Sequence, residues 1–97
     1  MTSKEERVYA KQPGFVAANL GEELALLDLA SGAYLGFNAT AAHIWRLLEE
    51  PRTLGSLCQA MMLEFEIDAE RCREEVAALL DRLVAAGLVR TDDGEVA

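Results

Sequence analysis

Apolar residues along the chain form three short runs and then three longer stretches with helical spacing. The short runs cover residues 15–19, 24–29 and 33–37, and the longer stretches cover 39–49, 54–65 and 69–86. Short apolar runs that are separated by glycine-containing turns are typical of strands, whereas repeats every three or four positions are typical of amphipathic helices. The pattern therefore predicts an α+β domain, in which a three-stranded antiparallel sheet is followed by three helices.

The second and third predicted strands are joined by Ala30-Ser31-Gly32, which suits a three-residue hairpin loop. That loop length pairs the strand residues as follows: Leu29 with Ala33, Leu27 with Leu35, and Ala25 with Phe37. Because side chains alternate along a strand, all six would share one face of the sheet. If the third strand forms a sheet edge, its unpaired backbone groups are open to a further strand.

Local signals mark both ends of the predicted helices. Asn38, Thr53 and Asp68 precede them and are suitable N-caps, while Gly87 supplies a left-handed stop after the third. The sequence predicts a flexible segment at residues 1–14, one domain at 15–90 and a tail at 91–97.

The third predicted helix has an unusually wide apolar face. Its ordinary core stripe consists of Cys72, Val76, Leu79, Leu83 and Ala86. The stripe is widened on one side only, by Ala77, Leu80 and Val84 with Arg73 among them. The resulting arc is about 180° wide, whereas a helix lying on a core needs roughly 100°. The extra flank either packs against the sheet or the first helix, or lines a groove for a partner.

Composition and charge narrow the range of functions that the protein can have. The 97 residues are 52% hydrophobic with a net charge of −8, which opposes binding to nucleic acid or to an anionic membrane surface. The N-terminus has no apolar signal core, so we predict a cytoplasmic protein. Cys58 and Cys72 occupy apolar helix positions and are predicted to be reduced and buried.

The residues give little support for catalysis. His43 is the only histidine and has no sequence-local acid or cysteine partner, and the two cysteines lack the spacing of a metal site. We predict no metal, no cofactor and no enzyme activity. A winged-helix DNA-binding regulator is an alternative, but the outer face of the third helix is rich in acidic residues. Capture of an extended peptide by an open strand edge fits better, and Gly36 would let another backbone approach closely.

The stretches LLDLASGAYLGFNATAAHIWRLLEEPRTLGSL and EFEIDAERCREEVAALLDRLVAAGLV resemble the PqqD-like family of leader-peptide recognition domains. The similarity spans roughly residues 15 to 90. It rests on the order and spacing of the following residues: Leu26-Leu27-Asp28, Gly32, Tyr34, Phe37-Asn38, Thr40-Ala41, Ile44-Trp45, Arg52-Thr53, Phe65, Ile67-Asp68, Val76, Leu79-Leu80, Leu83 and Gly87-Leu88-Val89.

The resemblance implies a winged-helix-like domain that binds the leader of a ribosomally made precursor peptide as an added strand. The implied cleft is walled by the third strand and the third helix, through Ala33, Tyr34, Leu35, Gly36, Phe37, Arg73, Val76, Ala77, Leu80 and Val84. The implied partners are the precursor and a separate enzyme. That enzyme is the leader peptidase or cyclase of a lasso-peptide pathway, or alternatively a radical S-adenosylmethionine enzyme.

Overall fold

The computed structural model describes residues 7–92, which form six strands and three helices. In chain order these are β1 Val8–Lys11, β2 Phe15–Leu20, β3 Glu23–Asp28, β4 Tyr34–Phe37, α1 Ala39–Leu47, β5 Arg52–Thr53, α2 Leu54–Glu64, α3 Ala69–Ala85 and β6 Val89–Asp92. The predicted α+β class, with an antiparallel sheet followed by three helices, is confirmed. None of the helices between residues 7 and 92 is long and apolar enough to cross a membrane.

The sequence did not predict a second three-stranded sheet, in which β1 lies between β5 and β6. Tyr9, in the middle of β1, is only 1% exposed and belongs to the core. Residues 8–11 are therefore a structural strand, and their assignment to a flexible segment was wrong. The predicted tail is likewise shortened, because β6 continues to Asp92. Residues 1–6 and 93–97 lie outside the described part of the chain.

The sheet formed by β2, β3 and β4 has a register one residue away from the predicted one. Leu26 lies opposite Leu35, and Leu24 lies opposite Phe37. Leu24 and Leu26 consequently face the core, while Ala25 and Leu27 lie on the other face. The predicted pairs of Leu27 with Leu35 and of Ala25 with Phe37 were wrong.

The turn between β3 and β4 explains this shift, because its closing pair, Asp28 and Ala33, encloses four residues rather than three. The Asp28 N–H donates to the Ala33 carbonyl oxygen over 2.9 Å, which closes the hairpin at this pair. Within the loop, the Asp28 Oδ1 accepts from the Ala30 N–H, and the Ser31 Oγ accepts from the Ala33 N–H. Gly32 has a φ of 78°, a left-handed conformation that glycine adopts without strain. Leu29 therefore belongs to the loop.

The helices begin at the predicted caps. The side-chain oxygens of Asn38, Thr53 and Asp68 accept backbone N–H groups three residues further on, at 2.9, 3.1 and 2.8 Å respectively. Gly87 follows α3 with a φ of 81°, and the Leu88 N–H donates to the Leu83 carbonyl oxygen. This closing bond turns the chain back into β6.

We expect replacement of the Asp68 cap to destabilise the protein modestly. In Asp68→Ala the first turn of α3 loses an acceptor, so the free energy of unfolding should fall by about 1 kcal/mol. Urea denaturation would measure the change. Asp68→Asn is the matched control, since its amide oxygen also caps, and it should stay close to the wild type. Equal losses in both variants would show that the cap is not the cause.

Trp45 of α1 contacts residues of both sheets. Its ring is 5% exposed and meets the Phe37 ring of β4 edge-on, with ring centroids 5.7 Å apart. On another side, the Lys11 ammonium of β1 lies 4.7 Å from the Trp45 ring centroid. Lys11 also pairs with Glu49 at 2.8 Å, and this contact lowers the pKa of the Glu49 carboxyl. The packing fixes β4 relative to the helices, which positions the candidate site.

Candidate peptide-binding cleft

β4 is an edge strand, because the sheet order is β2-β3-β4. The Asp28–Ala33 hydrogen bond sets the alternation along the hairpin, so the N–H and C=O groups of Leu35 and Phe37 point towards β3. Those of Tyr34 and Gly36 point away from it. Within residues 7–92 no other strand pairs on that side. The edge therefore presents a row of donors and acceptors that an extended peptide can use.

The side chains of β4 divide between the two faces of the sheet. Phe37 is buried and Leu35 half-buried on the side of α1, whereas Tyr34 is 73% exposed on the opposite side. A Cβ atom added at Gly36 would meet nothing within 4 Å. The outer face of β4 is thus open around Gly36.

A cleft with a volume of about 460 Å³ lies next to the C-terminal end of β4. Its walls come from the start of α1, the end of α2, the α2–α3 connection and one flank of α3. The lining residues are Asn38, Thr40, Ala41, Ile44, Met61, Phe65, Ile67, Cys72, Glu75, Val76, Ala78, Leu79 and Arg82. Asn38, which lines the cleft, is the residue that follows β4, so the cleft adjoins the C-terminal end of this edge strand.

The α3 wall of this cleft differs from the wall that the sequence suggested. Of the predicted α3 residues, only Val76 lines the cleft. Leu80 is 0% exposed and belongs to the core. Ala77 is half-buried, and Arg73 and Val84 are exposed, but none of these three lines the cleft. The helix packs against both α2 and β6, so much of its wide apolar arc is core.

The cleft flank of α3 is instead formed by Glu75, Leu79 and Arg82, which lie on one side of the helix at a spacing of four and three residues. Leu79 is half-buried and supplies the apolar part. Glu75 accepts a hydrogen bond from the Arg71 Nε at 2.9 Å, and this pair raises the pKa of the Arg71 guanidinium. The sequence predicts Leu79 as part of the core stripe and does not place Glu75 or Arg82 in the cleft.

Of the two cysteines in the core, Cys58 is a poor nucleophile. Both thiols are free and buried, and the Cys72 Sγ lies 3.8 Å from the Cys58 carbonyl oxygen. Burial, and next the neighbouring Cys72 thiol, raise the pKa of Cys58 to about 11, so it stays protonated at neutral pH. His43 packs its ring edge-on against Phe65 at 5.5 Å. Among the described residues, no group of three or more His, Cys, Asp or Glu side chains is placed to hold a metal ion.

Comparison with known proteins agrees with this fold. The family model of coenzyme PQQ synthesis protein D (PqqD) matches residues 23–89, and the chain belongs to this family. The match begins with β3 and ends at the first residue of β6. It therefore includes β4, all three helices and the whole cleft. A search of curated proteins found no match.

Two solved structures are similar over most of their length. One is TbiB1 in complex with the TbiA(beta) leader peptide, with a TM-score of 0.77 and 27% identity, covering 84% of this chain and 94% of that chain. The other is lasso peptide synthetase B1 complexed with the leader peptide, with a TM-score of 0.72 and 29% identity, covering 84% of this chain and 96% of that one. Both similar proteins thus hold a leader peptide.

Proposed function

We propose that this protein binds the leader region of a ribosomally synthesised precursor peptide and presents it to a separate modifying enzyme. The observation that carries the proposal is the open edge of β4, which leads directly into an apolar cleft beside α3. Membership of the PqqD family and similarity to two leader-bound proteins support it. The protein acts as a recognition subunit in the cytoplasm, and the chemistry belongs to its partner enzyme.

The leader adds to the sheet as an antiparallel strand. Its backbone exchanges hydrogen bonds with Tyr34 and Gly36, the residues of β4 that point away from β3. Such backbone bonds accept many sequences, so they hold the leader without selecting it. The sequence-predicted residues Ala33 to Phe37 therefore act mainly through their main chain.

Selectivity comes from the cleft. Ala41, Ile44, Val76 and Leu79 give it an apolar lining that takes apolar leader side chains. Burial of one such side chain stabilises a complex by about 1.5 to 3 kcal/mol. Glu75 and Arg82 place opposite charges around Leu79, so polar leader residues beside the apolar anchor can pair there.

The partner enzyme that best fits is the leader peptidase of a lasso-peptide pathway, because one of the two similar structures is a lasso peptide synthetase B1. The alternative partner is a radical S-adenosylmethionine enzyme, since the family model is that of a coenzyme PQQ synthesis protein. The two are distinguished by which purified enzyme forms a ternary complex with the protein and its leader.

Titration of a labelled leader tests the binding itself. The probe is a synthetic, fluorescent leader from the precursor peptide encoded beside this gene, with a scrambled version as the control. We expect saturable binding in the micromolar range or tighter, equivalent to about −8 kcal/mol or better. Absence of saturation with the cognate leader, or equal affinity for the scrambled one, would contradict the proposal.

A further inference from the structure

The opposite edge of the same sheet is formed by β2, and this strand is unusually exposed. Residues 16–20 are exposed on both faces of the sheet, including Val16 at 51% and Leu20 at 61%. Within residues 7–92 only β3 pairs with β2. The strand, FVAANL, contains neither charge nor proline. Natural edge strands are protected by such residues, by bulges or by shortness, so β2 has the properties of a strand that pairs with another.

The backbone groups available on β2 follow from the hairpin geometry. The N–H of Asp28 bonds towards β4, so the groups of Leu27 and Ala25 point towards β2. Their partners Val16 and Ala18 are thereby used within the sheet. The N–H and C=O groups of Ala17 and Asn19 point outwards, where they can bond to a further strand.

The residues of β2 are arranged almost symmetrically about Ala18. If an antiparallel second copy pairs at this edge, Ala18 lies opposite its own counterpart, and Val16 lies opposite the second copy's Leu20. Ala17 then lies opposite the second copy's Asn19, and these two exchange the outward backbone hydrogen bonds. Large apolar side chains meet each other on one face, and because β2 carries no charged residue, the pairing brings no like charges of this strand together despite the net charge of −8. Pairing of two identical strands about a two-fold axis requires this self-complementarity, whereas pairing with an unrelated strand does not.

We propose that the protein forms a homodimer by antiparallel pairing of β2 with β2 of a second copy. The result is a continuous six-stranded sheet, in which β4 forms both outer edges. The contact covers Val16 and Leu20 and leaves both β4 edges open. Dimerisation is therefore independent of the proposed leader binding, and one dimer carries two leader sites at opposite ends.

Sedimentation equilibrium of the full chain over a range of concentrations tests the association. We expect the wild-type mass to rise from one copy towards two. Ala18→Lys should remain monomeric, because it places two like charges opposite each other across the axis. The same variant should bind the labelled leader as the wild type does, which separates this proposal from the proposed function. A wild type that stays monomeric throughout, or an Ala18→Lys variant that dimerises, would overturn it.

Disulfide cross-linking tests the register. Ala18 would form a non-hydrogen-bonded pair with itself, with Cα atoms about 4.5 Å apart, which suits a disulfide. Mild oxidation of Ala18→Cys should therefore give a covalent dimer. Ala17→Cys is the control, since Ala17 and its counterpart would lie diagonally, about 7–8 Å apart. The buried Cys58 and Cys72 do not compete. Equal cross-linking of the two variants would rule out this pairing.

Discussion

Replacement of Gly36 by proline should weaken leader binding by about tenfold or more, while the protein stays folded. The Gly36 N–H points away from β3, so proline removes no bond of the β3–β4 ladder. Leu35, the residue before it, is already extended, as proline requires. The variant instead removes a donor for the leader backbone and places a ring at the edge where that backbone has to lie. Fluorescence anisotropy with the labelled leader measures the loss.

Gly36→Ala is the matched control for this experiment. Alanine keeps the N–H, and its Cβ would meet nothing within 4 Å of the unbound protein. We expect near wild-type affinity for the leader, with circular dichroism confirming that both variants are folded. An unchanged affinity in Gly36→Pro would show that the leader does not pair with β4. Equal losses in the proline and alanine variants would point to crowding on the sheet face rather than to the backbone.

The helices were predictable from the sequence because their signals are local. Asn38, Thr53 and Asp68 accept backbone N–H groups within their own first turns, and Gly87 supplies the left-handed stop within the sequence that it ends. Side-chain caps and glycine stops need no distant partner. Each helix therefore began at the predicted residue, and its end was displaced by at most two residues.

The missing sheet and the shifted register depend on contacts that no local pattern contains. β1 and β6 have four residues each, and the buried Tyr9 pairs with Thr91, which lies more than eighty positions later in the sequence. The register of β3 with β4 differs from the predicted one for another reason. The side chains of Asp28 and Ser31 accept loop N–H groups and stabilise a four-residue connection where three residues were assumed.

The candidate site was predictable in part. The sequence indicates a third strand that is a candidate for a sheet edge without deciding the point, and the structure places β4 at the end of its sheet. The exposed flank of α3 was not predictable, because the surrounding elements decide which side of a wide apolar arc is buried. Leu80 is in the core of a protein whose α3 contacts α2 and β6, and β6 is absent from the sequence-based prediction.

A charged residue at position 79 should therefore weaken leader binding strongly. Leu79 lines the cleft, and Leu79→Glu replaces an apolar contact by a carboxylate that a bound apolar side chain would have to desolvate. Loss of one buried apolar contact corresponds to about 1.5 to 3 kcal/mol, so we expect a decrease in affinity of roughly tenfold to a hundredfold. The anisotropy titration measures it. Leu79→Ala, which only shortens the side chain, should give a smaller loss in the same direction.

Val84→Glu is the matched control, with the same change of charge on the same helix. Val84 is 36% exposed and does not line the cleft, so this variant should bind the leader nearly as the wild type does. Thermal melts followed by circular dichroism separate loss of binding from loss of fold, because Leu79 also packs against the core. Weak binding by Val84→Glu together with wild-type binding by folded Leu79→Glu would place the leader on the flank of Ala77 and Val84. That flank is the one that the sequence alone suggests, and the cleft lined by Leu79 would then not be the binding site.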